Sequence, residues 1–184
     1  LDKAVSRELV PLKLDKALFR TVLHRLTADD AGPDGIDRVE FQIATNPGAD
    51  PGPLVKIASG GELSRFLLAL KVVLAKSAST GTLVFDEIDS AVGGAVADAI
   101  GDRLAKLASG AQIMVVTHSP QVAARGNSHW RISKKLIAGG ATTTFVEVLD
   151  EPAKREEIAR MLAGAKITDA ARAAADSLMA SARP

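Results

Sequence analysis

The chain has 184 residues, 47% hydrophobic and 24% charged, which suits one main domain that builds its own core. It contains zero cysteines, which excludes a disulfide framework and any thiolate metal site and fits a reducing compartment. A net charge of +1 gives no global pull toward nucleic acid, aromatics at 3% argue against a base-stacking platform, and no apolar stretch approaches the roughly twenty residues of a bilayer span.

Leu1, Val5 and Leu9 recur at helical spacing, and Pro11 ends the pattern, so residues 1–10 read as the stub of a helix. The chain opens on Leu1 rather than Met, and we expect N-terminal context beyond it. Leu18 to Leu26 fits a strand or a helix. Arg38 to Ile43 alternates apolar and polar without error, the period of a strand with one buried face, and an early antiparallel layer is expected from the two segments. The turn formers between Asn46 and Pro53 predict a surface loop. Leu63, Phe66, Leu67, Leu70, Val73 and Leu74 predict a helix burying one long face.

Thr82 to Phe85 and Gln112 to Thr117 are short apolar runs suited to strands buried on both faces. Gly94 to Leu107 reads as the helix between them, with Ile100, Leu104 and Leu107 inward. The three form a βαβ unit, so the strands are expected to run parallel with a right-handed crossover. Ser119-Pro120 starts a short helix that Gly126 stops. Strands are expected over His129–Lys134 and Thr142–Val148, joined by a turn at Ala138–Ala141, and helices around Ile158, Met161 and Leu162 and over Ala170–Met179.

Chemistry concentrates at three points. Ser59-Gly60-Gly61-Glu62 forms an S-x-x-E capping box, which satisfies amides at a helix start without any ligand. Its two consecutive glycines also clear the helix mouth, where amides and helix dipole favour an anion. Asp86 and Glu87 follow the first apolar strand, and open parallel sheets bind ligands beyond the carboxyl ends of their strands. There Asp86 suits Mg²⁺ and Glu87 suits orienting or deprotonating an attacking water. Asp89 is a third carboxylate, for which ordinary capping is the stronger reading and a direct metal role the lesser one. His118 ends the second strand, at the same edge as Asp86 and Glu87 if the two strands are parallel, where it suits donating to a γ-phosphate oxygen. His24 and His129 read as surface or packing residues. Arg131, Lys134 and Lys135 are a small basic group that reads as a solvated strand end, with a DNA phosphate contact as the lesser alternative.

Ser-Gly-Gly-Glu, then strand plus Asp-Glu, then strand plus Thr-His resembles, in order and spacing, the signature motif, Walker B and switch histidine of the ABC ATPase superfamily. Asp86-Glu87-Ile88-Asp89 and the upstream helical stub point to its SMC-like branch, and the runs around Val39-Glu40-Phe41, Ala58–Arg65, Phe85–Gly94 and Thr117–Ala124 resemble bacterial ATPases of DNA double-strand-break repair within it. The resemblance implies an α/β P-loop NTPase fold, the C-terminal lobe of an ABC/SMC-type ATPase head over 11–184, with 1–10 the end of a coiled-coil arm helix. It implies ATP and Mg²⁺ as cofactors, with Ser59, Gly60, Gly61 and Glu62 capping the γ-phosphate of an ATP held mainly by a second head. Asp86 would serve the metal, Glu87 would be the catalytic carboxylate and His118 the γ-phosphate sensor. Implied partners are an N-terminal lobe carrying Walker A, a second head in an ATP-dependent homodimer, and DNA, in a cytoplasmic, nucleoid-associated protein without membrane partners. Two features depart from that pattern: the G-x-x-x-x-G-K-[ST] loop occurs nowhere in the chain, and Gly93 stands where a second interface Asp is usual. The chain is therefore expected to be inactive alone. The alternatives are a non-catalytic docking and dimerisation lobe, or the nucleotide-binding subunit of an ABC transporter.

Overall fold

The computed structural model describes residues 1–54, 60–74, 81–90, 92–136, 140–164 and 166–182. They fall into two compact units, Leu1–Val116 and Thr117–Pro184.

The first unit opens with helix α1 (Asp2–Leu9), continued by a 3-10 turn over Val10–Leu12. Val5 and Leu9, the positions selected by the helical period, are fully buried. The Asp2 carboxylate fixes the helix start, accepting from Thr21 Oγ1 at 2.7 Å and from the Thr21 N–H at 3.2 Å. The Thr21 hydroxyl holds the Asp2 carboxyl below its ordinary range. Thr21 belongs to strand β1 (Leu18–Arg25), which resolves the ambiguous segment as a strand. It pairs antiparallel with β2 (Asp37–Ala44) in register from Leu18↔Ala44 to Arg25↔Asp37, and β2 pairs with the short β3 (Gly52–Pro53). The strand prevails because Phe19 and Ile43, opposite each other, face one core, where the Phe19 ring lies 5.2 Å from Phe66 and 5.7 Å from Phe41.

Phe66 comes from helix α2 (Gly60–Leu74), which packs against α1 and against helix α3 (Ala95–Ala108). Contacts on two sides widen its buried arc to Phe66, Leu68, Ala69, Leu70 and Val72. Leu67, expected in the core, is 39% exposed. On α3 the inward residues are Ile100, Leu104 and Leu107, as their spacing requires, with Val96 and Ala97.

Strands β4 (Thr82–Asp86) and β5 (Gln112–Val116) are parallel, in register from Thr82↔Gln112 to Asp86↔Val116. This is the expected βαβ unit, but the strands are not buried on both faces. Exposure alternates along each strand, leaving Val84 66%, Met114 41% and Val116 58% exposed. The reason is the size of the sheet, which has two strands among the described residues, with α3 packed against β5.

The second unit contains helix α4 (Pro120–Ala124), hairpin β6 (His129–Leu136) and β7 (Thr142–Leu149), and helices α5 (Glu151–Ala163) and α6 (Asp169–Ser181). Its helices begin where side-chain caps stand: Ser119 before Pro120, Asp150 accepting from Ala153 N–H at 2.9 Å, and Thr168 accepting from Ala171 N–H at 3.2 Å. The expected turn residues 138 and 139 lie outside the described residues; the antiparallel pairing they join runs from His129↔Leu149 to Leu136↔Thr142. The tail alanines do more than favour helix, since Ala171 and Ala175 pack with Ala124, Ile158 and Ala159 into one small core. No helix among the described residues is long and apolar enough to cross a membrane.

Candidate active site

The acidic pair is placed by β4. Asp86 is the last residue of the strand, level with Val116, and the Glu87 N–H donates to the Val116 carbonyl at 3.0 Å, extending the parallel ladder by one rung. Both Asp86 and Glu87 are exposed, whereas the next two residues, Ile88 and Asp89, are 1% and 0% exposed. Two outward residues followed by two inward ones cannot lie on a strand, so the chain turns at Glu87. Its φ is 47°, in the left-handed region, which costs a non-glycine residue about 1–2 kcal/mol. The Ser90 N–H closes the turn by donating to the Glu87 carbonyl at 2.9 Å, and the Val92 N–H donates to the Asp89 carbonyl at 3.3 Å.

The described part of the glycine-rich motif opens α2. Gly60 is exposed, Gly61 and Glu62 are partly buried, and a Cβ added at Gly60 would meet nothing within 4 Å. No packing among the described residues therefore requires glycine at residue 60, whereas an approaching ligand or partner surface would. Ser59, and with it the capping box, lies outside the described residues. One turn along α2, Arg65 has a buried Nε with no hydrogen-bond partner among the described residues. Burial pushes its guanidinium pKa down while neighbouring Glu62 opposes the shift. A capping pattern cannot announce Arg65, because nothing in local spacing shows which way an arginine points.

Between α2 and β4 runs an open groove of about 270 Å³ whose lining includes Ser64, Leu67, Lys71, Val84, Asp86 and Ile88. Its apolar walls do not suit a triphosphate. Among the described residues no three His, Asp or Glu side chains are grouped to hold a metal. Mg²⁺ keeps several waters and takes one or two carboxylates besides phosphate oxygens, so one exposed Asp86 at a strand end fits it when phosphate supplies the remaining ligands. The exposed opening of α2 likewise fits an anionic oxygen.

His118 is exposed and lies between β5 and α4, in the second unit. Asp89, fully buried, does not join the exposed pair as a third surface carboxylate. Gly93 has open space around it, and Gly94, with φ 53° and ψ −131° at the start of α3, occupies backbone that favours glycine. In the second unit, Arg131 donates to Glu147 across the hairpin at 2.7 Å and reaches Glu157 at 3.7 Å, while Lys135 lies over the Phe145 ring at 5.3 Å. Arg131 thus pairs with carboxylates of both β7 and α5.

The parallel pair ending in adjacent carboxylates and the helix opened by glycines belong to the fold of SMC-type ATPase heads. A likeness in solved structures agrees. The Smc head domain of Pyrococcus yayanosii, solved with a coiled coil and joint, superposes with a TM-score of 0.60 at 19% identity, covering 85% of this chain and 28% of that one. A structure from work on ATP-driven dimerisation and DNA-stimulated activation of SMC ATPases gives 0.52 at 17% identity, covering 90% and 92%. No protein-family model matches the chain. Curated relatives do: it is 51% identical over 147 residues to the DNA repair protein RecN of Xylella fastidiosa, covering 80% of this chain and 26% of the relative. It is also 40% identical over 182 residues to RecN of Halalkalibacterium halodurans, covering 97% and 32%. The chain belongs to the RecN family, and it spans between a quarter and a third of the length of these relatives.

Proposed function

We propose that, within a complete head, this chain supplies the catalytic carboxylate and the γ-phosphate cap of an ATPase that works between two heads in bacterial DNA double-strand-break repair and DNA-end tethering. The observation that carries the reading is the exposed Asp86–Glu87 pair at the carboxyl edge of a parallel sheet, with Glu87 turned out of the strand direction at φ 47° while its N–H stays on the ladder to Val116. Bound ATP with Mg²⁺ would supply the phosphoryl group and a charge that polarises it. Asp86 holds the metal side. Glu87 accepts a proton from, or orients, the water in line with the γ-phosphate. Ser59 and the amides at Gly60 and Gly61 would receive the phosphate oxygens of a nucleotide seated mainly on the other head, with Glu62 part of the same motif, and His118 would serve as a γ-phosphate sensor. Residues 1–10 carry the root of the coiled-coil arm and 11–184 the lobe. The phosphate-cradling loop comes from an N-terminal lobe, since no G-x-x-x-x-G-K-[ST] run occurs in these 184 residues.

A second role rests on a separate observation. Val84, Met114 and Val116 expose apolar surface on one face of β4–β5, which suits docking against that N-terminal lobe. Docking and catalysis are compatible, and one experiment separates them: ATP turnover by the complete head, wild type against Glu87→Gln, with and without linear DNA. Loss of turnover in Glu87→Gln, with accumulation of an ATP-bound dimer and stimulation of the wild type by DNA, is the expected result. Turnover by Glu87→Gln equal to wild type removes Glu87 from the chemistry, and absence of turnover in every mixture leaves docking alone.

A further inference from the structure

The proposed carboxylate stands on a turn whose foundation is internal. Glu87 and Asp86 are exposed, yet Ile88 and Asp89 immediately after them are among the most deeply buried side chains of the chain. Ile88 is explained by its apolar bulk. Asp89 is not: a carboxylate taken wholly out of water is costly unless the fold engages it, and Asp89 is engaged within the fold. Its place in the backbone shows what this engagement can hold. Asp89 is two residues beyond Glu87, inside the Glu87–Ser90 turn, and its own carbonyl accepts the Val92 N–H. Glu87 is left-handed without being glycine, so its conformation must be imposed by its neighbours on both sides. It is gripped on one side by the Val116 carbonyl and on the other by the buried Ile88–Asp89 step.

Resting on the assignment of Glu87 as the catalytic carboxylate, we infer that Asp89 is a positioning residue: its buried side chain locks the turn that aims Glu87. Fully buried, it acts through the backbone and not on the reacting groups. Capping of α3, the reading its sequence position suggests, does not apply, since that helix starts at Ala95 with Gly94 at its N-cap.

The test uses two readouts on Asp89→Asn and Asp89→Ala. In the chain itself, amide hydrogen exchange is followed at Glu87 and Ser90, which donate the bonds that define the turn, with amides of α3 and β5 as internal references. Exchange at both turn amides is expected to accelerate at least tenfold in Asp89→Ala and less in the isosteric Asp89→Asn, with the references within twofold of wild type. In the complete head, kcat for ATP is expected to fall at least tenfold in Asp89→Ala with KM for ATP within about threefold, and Asp89→Asn to recover part of the loss. Turn amides and kcat within twofold of wild type in both variants overturn the inference, and so does acceleration spread evenly over α3 and β5, which makes Asp89 an ordinary core residue. A wild-type head without turnover, or a fully active Glu87→Gln head, refutes the catalytic assignment instead, a result separate from the exchange measurement.

Discussion

Glu87→Gly separates geometry from chemistry at the acidic pair. A left-handed glutamate carries about 1–2 kcal/mol of backbone strain that glycine does not. Glycine brings its own cost, about 0.5–1 kcal/mol of extra chain entropy lost on folding. The difference leaves the variant between unchanged and about 1.5 kcal/mol more stable, although an exposed charged side chain has been deleted. A control with the opposite sign is Ala105→Gly, exposed on the regular helix α3, which is expected to lose about 0.5–1 kcal/mol. Urea unfolding followed by far-ultraviolet circular dichroism reads both, and with a slope of about 2 kcal/mol per molar, 1 kcal/mol moves the midpoint by about 0.5 M. The single tryptophan, Trp130, lies in the second unit, so its fluorescence provides a separate record there. A midpoint for Glu87→Gly that falls as far as that for Ala105→Gly would refute the claim that Glu87 is strained. In the complete head, the same variant is expected to abolish ATP turnover, giving up activity without giving up stability.

Phe66→Ala removes a fully buried ring stacked near Phe19 and is expected to cost about 3–5 kcal/mol by urea unfolding; a loss below about 1 kcal/mol would show that the α2–β1 contact is not a core contact. The neighbouring glycines should behave differently: Gly94→Ala is expected to destabilise by about 1–3 kcal/mol because of its positive φ, while Gly93→Asp, placed in open space, stays within about 0.5 kcal/mol in thermal unfolding. Unchanged ATP-dependent dimerisation of Gly93→Asp heads would show that glycine there serves no close approach at the interface. Burial lowers the His129 pKa, with Glu157 opposing it and Lys154 and Arg131 adding to it. A depressed folded pKa means the unfolded chain takes up protons first, so this stability is complete above the ordinary histidine range and is lost as pH falls through that range toward the folded pKa. Between pH 7 and pH 5 the urea midpoint read at Trp130 should therefore drop more in wild type than in His129→Gln, and equal drops would contradict the burial.

Periodicity located the helices and strands because burial on one side imposes it, and the parallel βαβ unit followed from run lengths alone. It misjudged exposure at Val84, Met114 and Val116, which have the composition of buried strands, yet the sheet of two strands among the described residues leaves them open. Leu67 failed for a related reason, since spacing cannot distinguish a helix flank facing other helices from one facing an open groove. Asp86 and Glu87 were legible from their place at a strand end. The left-handed turn beneath them was not, because it depends on Ile88 and Asp89 entering a core assembled from distant segments.

The hydrogen bond from Glu87 to Val116 also ties the acidic pair to the order in which the chain is made. Val116 lies beyond α3, so on a ribosome the rung that anchors the turn cannot form until β5 has emerged and a long loop has been drawn together, a slow, non-local step. A nascent or truncated chain ending before Gln112 would contain both carboxylates but could not set Glu87 in its final direction. The final setting of the acidic pair thus waits until synthesis has passed the second parallel strand.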